Sequence, residues 1–171
     1  MCGEFGNALC WKGCEMSRKK TICVDFDGVI HSYSTPWTNH WTISDGPVPG
    51  ALEWLVACIT AGLKVQIYSN RSKSWRGRRA MRRWLYKHFF AVAAQDSVPY
   101  WMAKIVVYCG GNSLVGNFEV HAGVVWILKR IKVPAFKKPH AHLTIDDRAL
   151  NFHGNFNDPE VLKNFKPWNR R

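Results

Sequence analysis

Apolar and polar positions alternate in blocks along the first half of the chain. "TICVDF" (21–26) is a short, β-branched, apolar run, the pattern of a buried strand. Residues 32–49 mix Ser, Thr, Pro, Asn, Gly and aromatics; so long a loop reads as a flap over a site. "PGALEWLVACITAG" (49–62) opens with proline and closes with glycine, the punctuation of a helix. Leu52, Leu55, Val56 and Ile59 give that helix one apolar face. "LKVQIYS" (63–69) predicts a second strand. Trp75 to about Phe90 predicts a helix with Met81, Trp84, Leu85 and His88 on one side, and "AHLTI" (141–145) a third strand. Strands alternating with helices argue for an α/β fold with a mostly parallel sheet. Residues 91–132 are apolar and glycine-punctuated, and periodicity does not separate helix from strand there. They read as an insertion, a cap or sheet-completing structure. The expected organisation is a leader over 1–20 and a single domain over 21–171.

Charge narrows the partners. The 171 residues carry a formal net charge of +12, which favours an acidic partner: nucleic acid, a nucleotide or another phosphate-bearing molecule. Much of it is concentrated in "RSKSWRGRRAMRRW" (71–84), which holds six arginines and one lysine. No apolar run reaches the length of a membrane span and no signal-peptide core opens the chain, so a cytoplasmic protein without membrane partners is expected. Cys23, Cys58 and Cys109 lie in apolar surroundings and read as small core residues. Cys2, Cys10 and Cys14 lack the paired spacing of zinc knuckles. In the tail, Phe152, Phe156, Phe165 and Trp168 suggest packing against the domain, and "FKPW" also suits base stacking.

The candidate chemistry sits where the strands end. Asp25 and Asp27 close the first, Ser69 and Arg71 the second, Asp146 and Asp147 the third. Ligands of open α/β sheets bind beyond the carboxyl ends of the strands, so parallel neighbours bring these groups together. Two carboxylates about 4 Å apart repel by roughly 4 kcal/mol at an effective dielectric of about 20. Such a cluster calls for a cation, and oxygen ligands with open positions suit Mg²⁺. His31 reads either as a substrate contact or as an incidental loop histidine. "HAH" (140–142) puts two imidazoles on one strand face without a third zinc ligand.

Three stretches carry a resemblance. "DFDGV" resembles the first motif of the haloacid dehalogenase (HAD) superfamily, "VQIYSNRS" its second, and "KPHAHLTIDDRA" a combined third and fourth, in the right order. "DGPVPGALEWL" is similar to the helix that follows the first motif, and the arginine after Ser69 together with "IDDRA" resembles polynucleotide kinase-type phosphatase domains and small phage-encoded members. The resemblance implies a HAD-like Rossmannoid three-layer sandwich with a small or absent cap. It implies an Mg²⁺-dependent phosphate-monoester hydrolase, with nucleotides or nucleic-acid ends as substrates. Asp25 would be the nucleophile that forms an aspartyl-phosphate, and Asp27 the general acid and base, its pKa raised by neighbouring carboxylates. Ser69 would bond a phosphoryl oxygen, and Lys138, rather than Lys137, would offset charge. Asp25, Asp27, Asp146 and Asp147 would hold the metal. Gly28, Asn70 and Arg71 would form the substrate contacts, Gly28 by letting the backbone turn beneath the phosphate; Arg71 could equally face solvent. Two other classes fit the same pattern: a nucleic-acid-binding protein on this fold without turnover, and a phosphotransferase to an acceptor other than water.

Overall fold

The apolar run at the start of the domain forms the inner strand of a parallel sheet. In the computed structural model, which describes residues 20–94, 99–108 and 117–149 with Pro159, Asn164 and Lys166, this strand is β1 (Thr21–Asp25). Ile22, Cys23 and Val24 are all buried, as a strand covered on both faces requires. Helix α1 (Ala51–Thr60) leads to β2 (Lys64–Tyr68) and α2 (Trp75–Ala93) follows. Then come α3 (Tyr100–Tyr108), α4 (Asn117–Arg130), a two-residue strand β3 (Ile131–Lys132) and β4 (Leu143–Ile145).

The sheet order is β3-β2-β1-β4, and every pairing is parallel. The chain therefore steps outward from β1 through β2 to β3, then returns to the opposite side of β1. That reversal places a topological switch point between the carboxyl ends of β1 and β4, where open α/β sheets bind ligands. Helix α4 packs against α1, α2 and α3, so the described helices form one connected group.

The stretch that periodicity left open, 91–132, is helical where it is described and ends in the edge strand β3. Met102, Ile105, Val120, Val124 and Ile127 bury at helical spacing. Helix α2 runs to Ala93, and its buried side carries Met81, Trp84, Leu85 and Phe89; His88, expected among them, is half-buried. Cys23 and Cys58 are buried free thiols, as their surroundings suggested, and burial raises both pKa values. Among the described residues no helix is long and apolar enough to cross a membrane. The leader with Cys2, Cys10 and Cys14, Cys109, and the tail aromatics Phe152, Phe156, Phe165 and Trp168 lie outside the described residues.

Candidate active site

Beyond Asp25 the backbone turns sharply. The N–H groups of Ile30 and His31 both donate to the Phe26 carbonyl, and Gly28 N–H donates to the His31 carbonyl at 2.8 Å. Gly28 makes this possible with φ +92°, a left-handed conformation that favours glycine. It also leaves a gap: a Cβ at Gly28 would collide with the Asp147 carboxylate. The turn after β1 is thus shaped around an acid from the end of β4.

Asp25, Asp146 and Asp147 form one cluster, each offering a carboxylate oxygen within 4.8 Å of the others. At that separation each ionised pair costs about 3.5 kcal/mol at an effective dielectric of about 20. Protons or a cation must offset this. Burial, then the charges of Asp146, Asp27 and Asp147, raise the Asp25 pKa to about 7 despite the Phe26 N–H bond that favours the carboxylate. The Asp147 side chain has no solvent exposure, and neither of its oxygens has a hydrogen-bond partner. Burial and Asp146 raise its pKa too, against the lowering effect of Arg148, whose Nε lies 3.9 Å away. A buried carboxylate without a donor is costly, and a hard cation is the partner that its oxygens and those of Asp25 and Asp146 suit. The donor set is all oxygen, which fits Mg²⁺. Lys138 Nζ lies 3.7 Å from Asp146 Oδ2, half exposed at the mouth of the cluster.

Asp27 departs from the sequence reading. Its carboxylate is not part of the three-acid cluster; it accepts from Arg71 Nε on both oxygens, at 2.9 and 3.0 Å. Ser69 Oγ donates to it at 2.9 Å, and His31 Nδ1 lies 3.0 Å from Oδ1. Burial alone would raise its pKa, but the His31 bond, the Arg71 charge and the Ser69 hydroxyl outweigh it and hold Asp27 below its usual range. The expected raised pKa therefore belongs to Asp25 and Asp147 instead. The reason is direction: β1 and its turn aim Asp25 toward β4 and Asp27 toward β2.

Arg71 does not face solvent. It is 2% exposed, and its Nη1 donates to the carbonyls of Asn39 at 3.0 Å and Thr42 at 2.6 Å, with His40 at 3.4 Å. Its guanidinium lies 4.3 Å from the Trp37 ring. One arginine therefore ties Asp27 to the loop over 32–49 and sets that loop across the strand ends. The loop is further pinned by Ser32 N–H to the Gly46 carbonyl, Val48 N–H to the Ile30 carbonyl, and Trp84 Nε1 to the Asp45 carbonyl. Ser69 caps the 3-10 turn Asn70–Lys73 by accepting from Arg71 N–H at 3.2 Å, while exposed Asn70 opens that turn.

His31 is neither incidental nor at the surface. It is 1% exposed, stacks on Phe26 and meets Trp84 edge-on. Its Nε2 accepts from Asp45 N–H at 3.3 Å, which assigns the proton to Nδ1 facing Asp27. The i,i+4 spacing of Asp27 and His31 was the one signal of this pair in the sequence. His140 and His142 are exposed and outside the acidic cluster. No family model, curated protein or solved structure matches the chain.

Proposed function

We propose that the chain is an Mg²⁺-dependent phosphate-monoester hydrolase of HAD type, working through an aspartyl-phosphate on Asp25. One observation carries this reading: the Asp147 carboxylate, its side chain buried and its oxygens without a hydrogen-bond partner, stands with Asp25 and Asp146 at the switch point of the sheet, in a gap kept open by Gly28. The HAD-like three-layer sandwich with a small or absent cap is part of the proposal and rests on the motifs.

In this reading Asp25, Asp146 and Asp147 hold the cation, and Asp27 contributes no carboxylate to it. Mg²⁺ held there would offset part of the charge of the three carboxylates and of the transferring phosphoryl group. An Asp25 oxygen attacks phosphorus, and the ester P–O bond breaks as the leaving oxygen takes a proton through Asp27. His31 is neutral, with Nε2 accepting from Asp45 N–H, so it keeps its Nδ1–H and orients the Asp27 carboxyl; the proton for the leaving oxygen is one that Asp27 takes up from solvent. Water then attacks the same phosphorus, gives a proton to the Asp27 carboxylate, and releases phosphate with the Asp25 carboxylate restored. Gly28, its N–H held by the His31 carbonyl, lets the chain turn beneath the phosphoryl group; the Asn70 backbone contacts a phosphoryl oxygen, Ser69 does so by turning its hydroxyl away from Asp27, and Lys138 offsets the charge. Arg71 acts as a positioning residue, holding Asp27 and the loop over 32–49 in place.

The test is phosphate release from an aryl phosphate with Mg²⁺, with a chelator, and with Asp25→Asn. Release that needs Mg²⁺ and disappears in the variant is expected. Release unaffected by the substitution would overturn the role given to Asp25.

A further inference from the structure

Helix α2 carries its charge against its own stability. Its first turn has no acid to complement the helix dipole, and Arg76 and Arg78 stand there instead, with Arg79 directly after. Arg76 with Arg79, Arg79 with Arg83, Arg78 with Arg82, and Arg83 with Lys87 are like charges three or four residues apart, a spacing that places them side by side. Among the described residues none of them pairs with a carboxylate. Arg78 Nη1 donates to the Ser72 carbonyl, while Arg76, Arg79, Arg82 and Arg83 are exposed.

Exposed aromatic rings lie among these cations. Trp75 is 63% and Trp41 49% exposed, and Arg76 lies over both rings, at 5.7 and 5.5 Å. Phe136 is 68% exposed with Arg78 5.4 Å from its ring. Trp41, Trp75, Arg76, Arg79 and Arg83 line one cleft, and a second cleft shares Trp75, Arg79 and Arg83. Trp41 precedes Thr42, whose carbonyl accepts from the same Arg71 that holds Asp27, so the loop that supplies one wall of the cleft is fastened to the candidate active site.

We propose that this face of α2, with Trp41 and Trp75, is a binding surface for single-stranded nucleic acid. The arginines, spread over about 10 Å of helix at 1.5 Å per residue, follow a phosphate backbone, and the indoles stack on unpaired bases. A duplex keeps its base faces stacked away from such rings, and a free nucleotide has too few phosphates for the row. The inference stands on the surface itself. It does not need Asp25 chemistry; where both hold, it delivers a strand end to the site.

The test is fluorescence-anisotropy titration of the full chain with a labelled oligothymidylate across about 50 to 200 mM salt. Four phosphate contacts give a slope of about −3 in log affinity against log salt, and Arg79→Gln with Arg83→Gln brings it to about −1.5. Trp41→Ala and Trp75→Ala each weaken binding about tenfold and leave the slope unchanged. Arg79→Lys with Arg83→Lys keeps the slope, which separates lost charge from lost fold. Lys20→Gln with Lys64→Gln, the same charge removed at the opposite strand ends, is expected to bind nearly as wild type. Binding is read without turnover and phosphate release without the oligonucleotide, so a failed phosphatase assay and a failed titration are distinguishable. Absence of saturable binding, equal loss in the Lys20/Lys64 variant, or indole-dependent binding to phosphatidylserine vesicles but not to the oligonucleotide would overturn the proposal.

Discussion

Replacing the residue cast as nucleophile, Asp25→Asn, should stabilise the protein when divalent cations are removed. The Asp25 pKa stands at about 7 against an ordinary 3.8. That interval corresponds to about 4 kcal/mol, at about 1.4 kcal/mol per tenfold change in proton affinity. For a group raised on folding, stability is full below the unfolded pKa and is lost as pH climbs through the folded one. Wild type in chelator therefore loses this contribution between about pH 4 and about pH 7. Asparagine keeps the acceptor for Phe26 N–H and carries no charge toward Asp146 and Asp147. Between about pH 5 and about pH 8 the advantage of the variant should grow by about 2–3 kcal/mol, roughly 5–10 °C in Tm. Calorimetric scans in EDTA at those two pH values measure it. An advantage that does not change with pH, or a variant less stable than wild type at the upper value, would refute the electrostatic account of the cluster.

Four further outcomes follow from the same geometry. Mg²⁺ added at about a hundred times its Kd should stabilise wild type by about 2.7 kcal/mol, and Asp147→Asn should abolish most of this in a thermal shift assay. Arg71→Met leaves the buried Asp27 charge with only Ser69 and His31 as partners and should cost about 3 kcal/mol in urea unfolding, with Arg71→Lys a poor rescue because it lacks the planar fork. Gly28→Ala pays about 1–3 kcal/mol for its left-handed backbone, and its methyl displaces Asp147, so its Mg²⁺-dependent stabilisation should fall as well. Asp27 is lowered on folding, so its contribution is present above about pH 4 and lost as pH falls through the folded value. Asp27→Asn should flatten that acid limb of the stability profile.

The alternation of strands and helices was legible because β1 and β2 are short apolar runs and α1 and α2 have clean apolar faces. The acids of the cluster were legible because they end strands that the parallel topology makes neighbours. What was not legible depends on direction. Asp25 and Asp27 are two residues apart and point to different partners because of a turn whose shape rests on Gly28 and Asp147, more than a hundred residues away in sequence. Arg71 reads locally as one more cation in a basic run. Only contacts to Asn39, Thr42 and Asp27, about thirty to forty-five residues distant, make it the fastening of the loop. In "YWMAKIVVY" apolar residues continue around the helix, so the pattern offered no face to distinguish α3 from a strand.

The central claim is that Asp25 becomes covalently phosphorylated. Borohydride quenching during turnover of an aryl phosphate reduces an aspartyl-phosphate to homoserine, which peptide mass spectrometry locates. Homoserine at position 25, dependent on substrate and Mg²⁺, is the predicted result. Unmodified Asp25 in a protein that is releasing phosphate would contradict it.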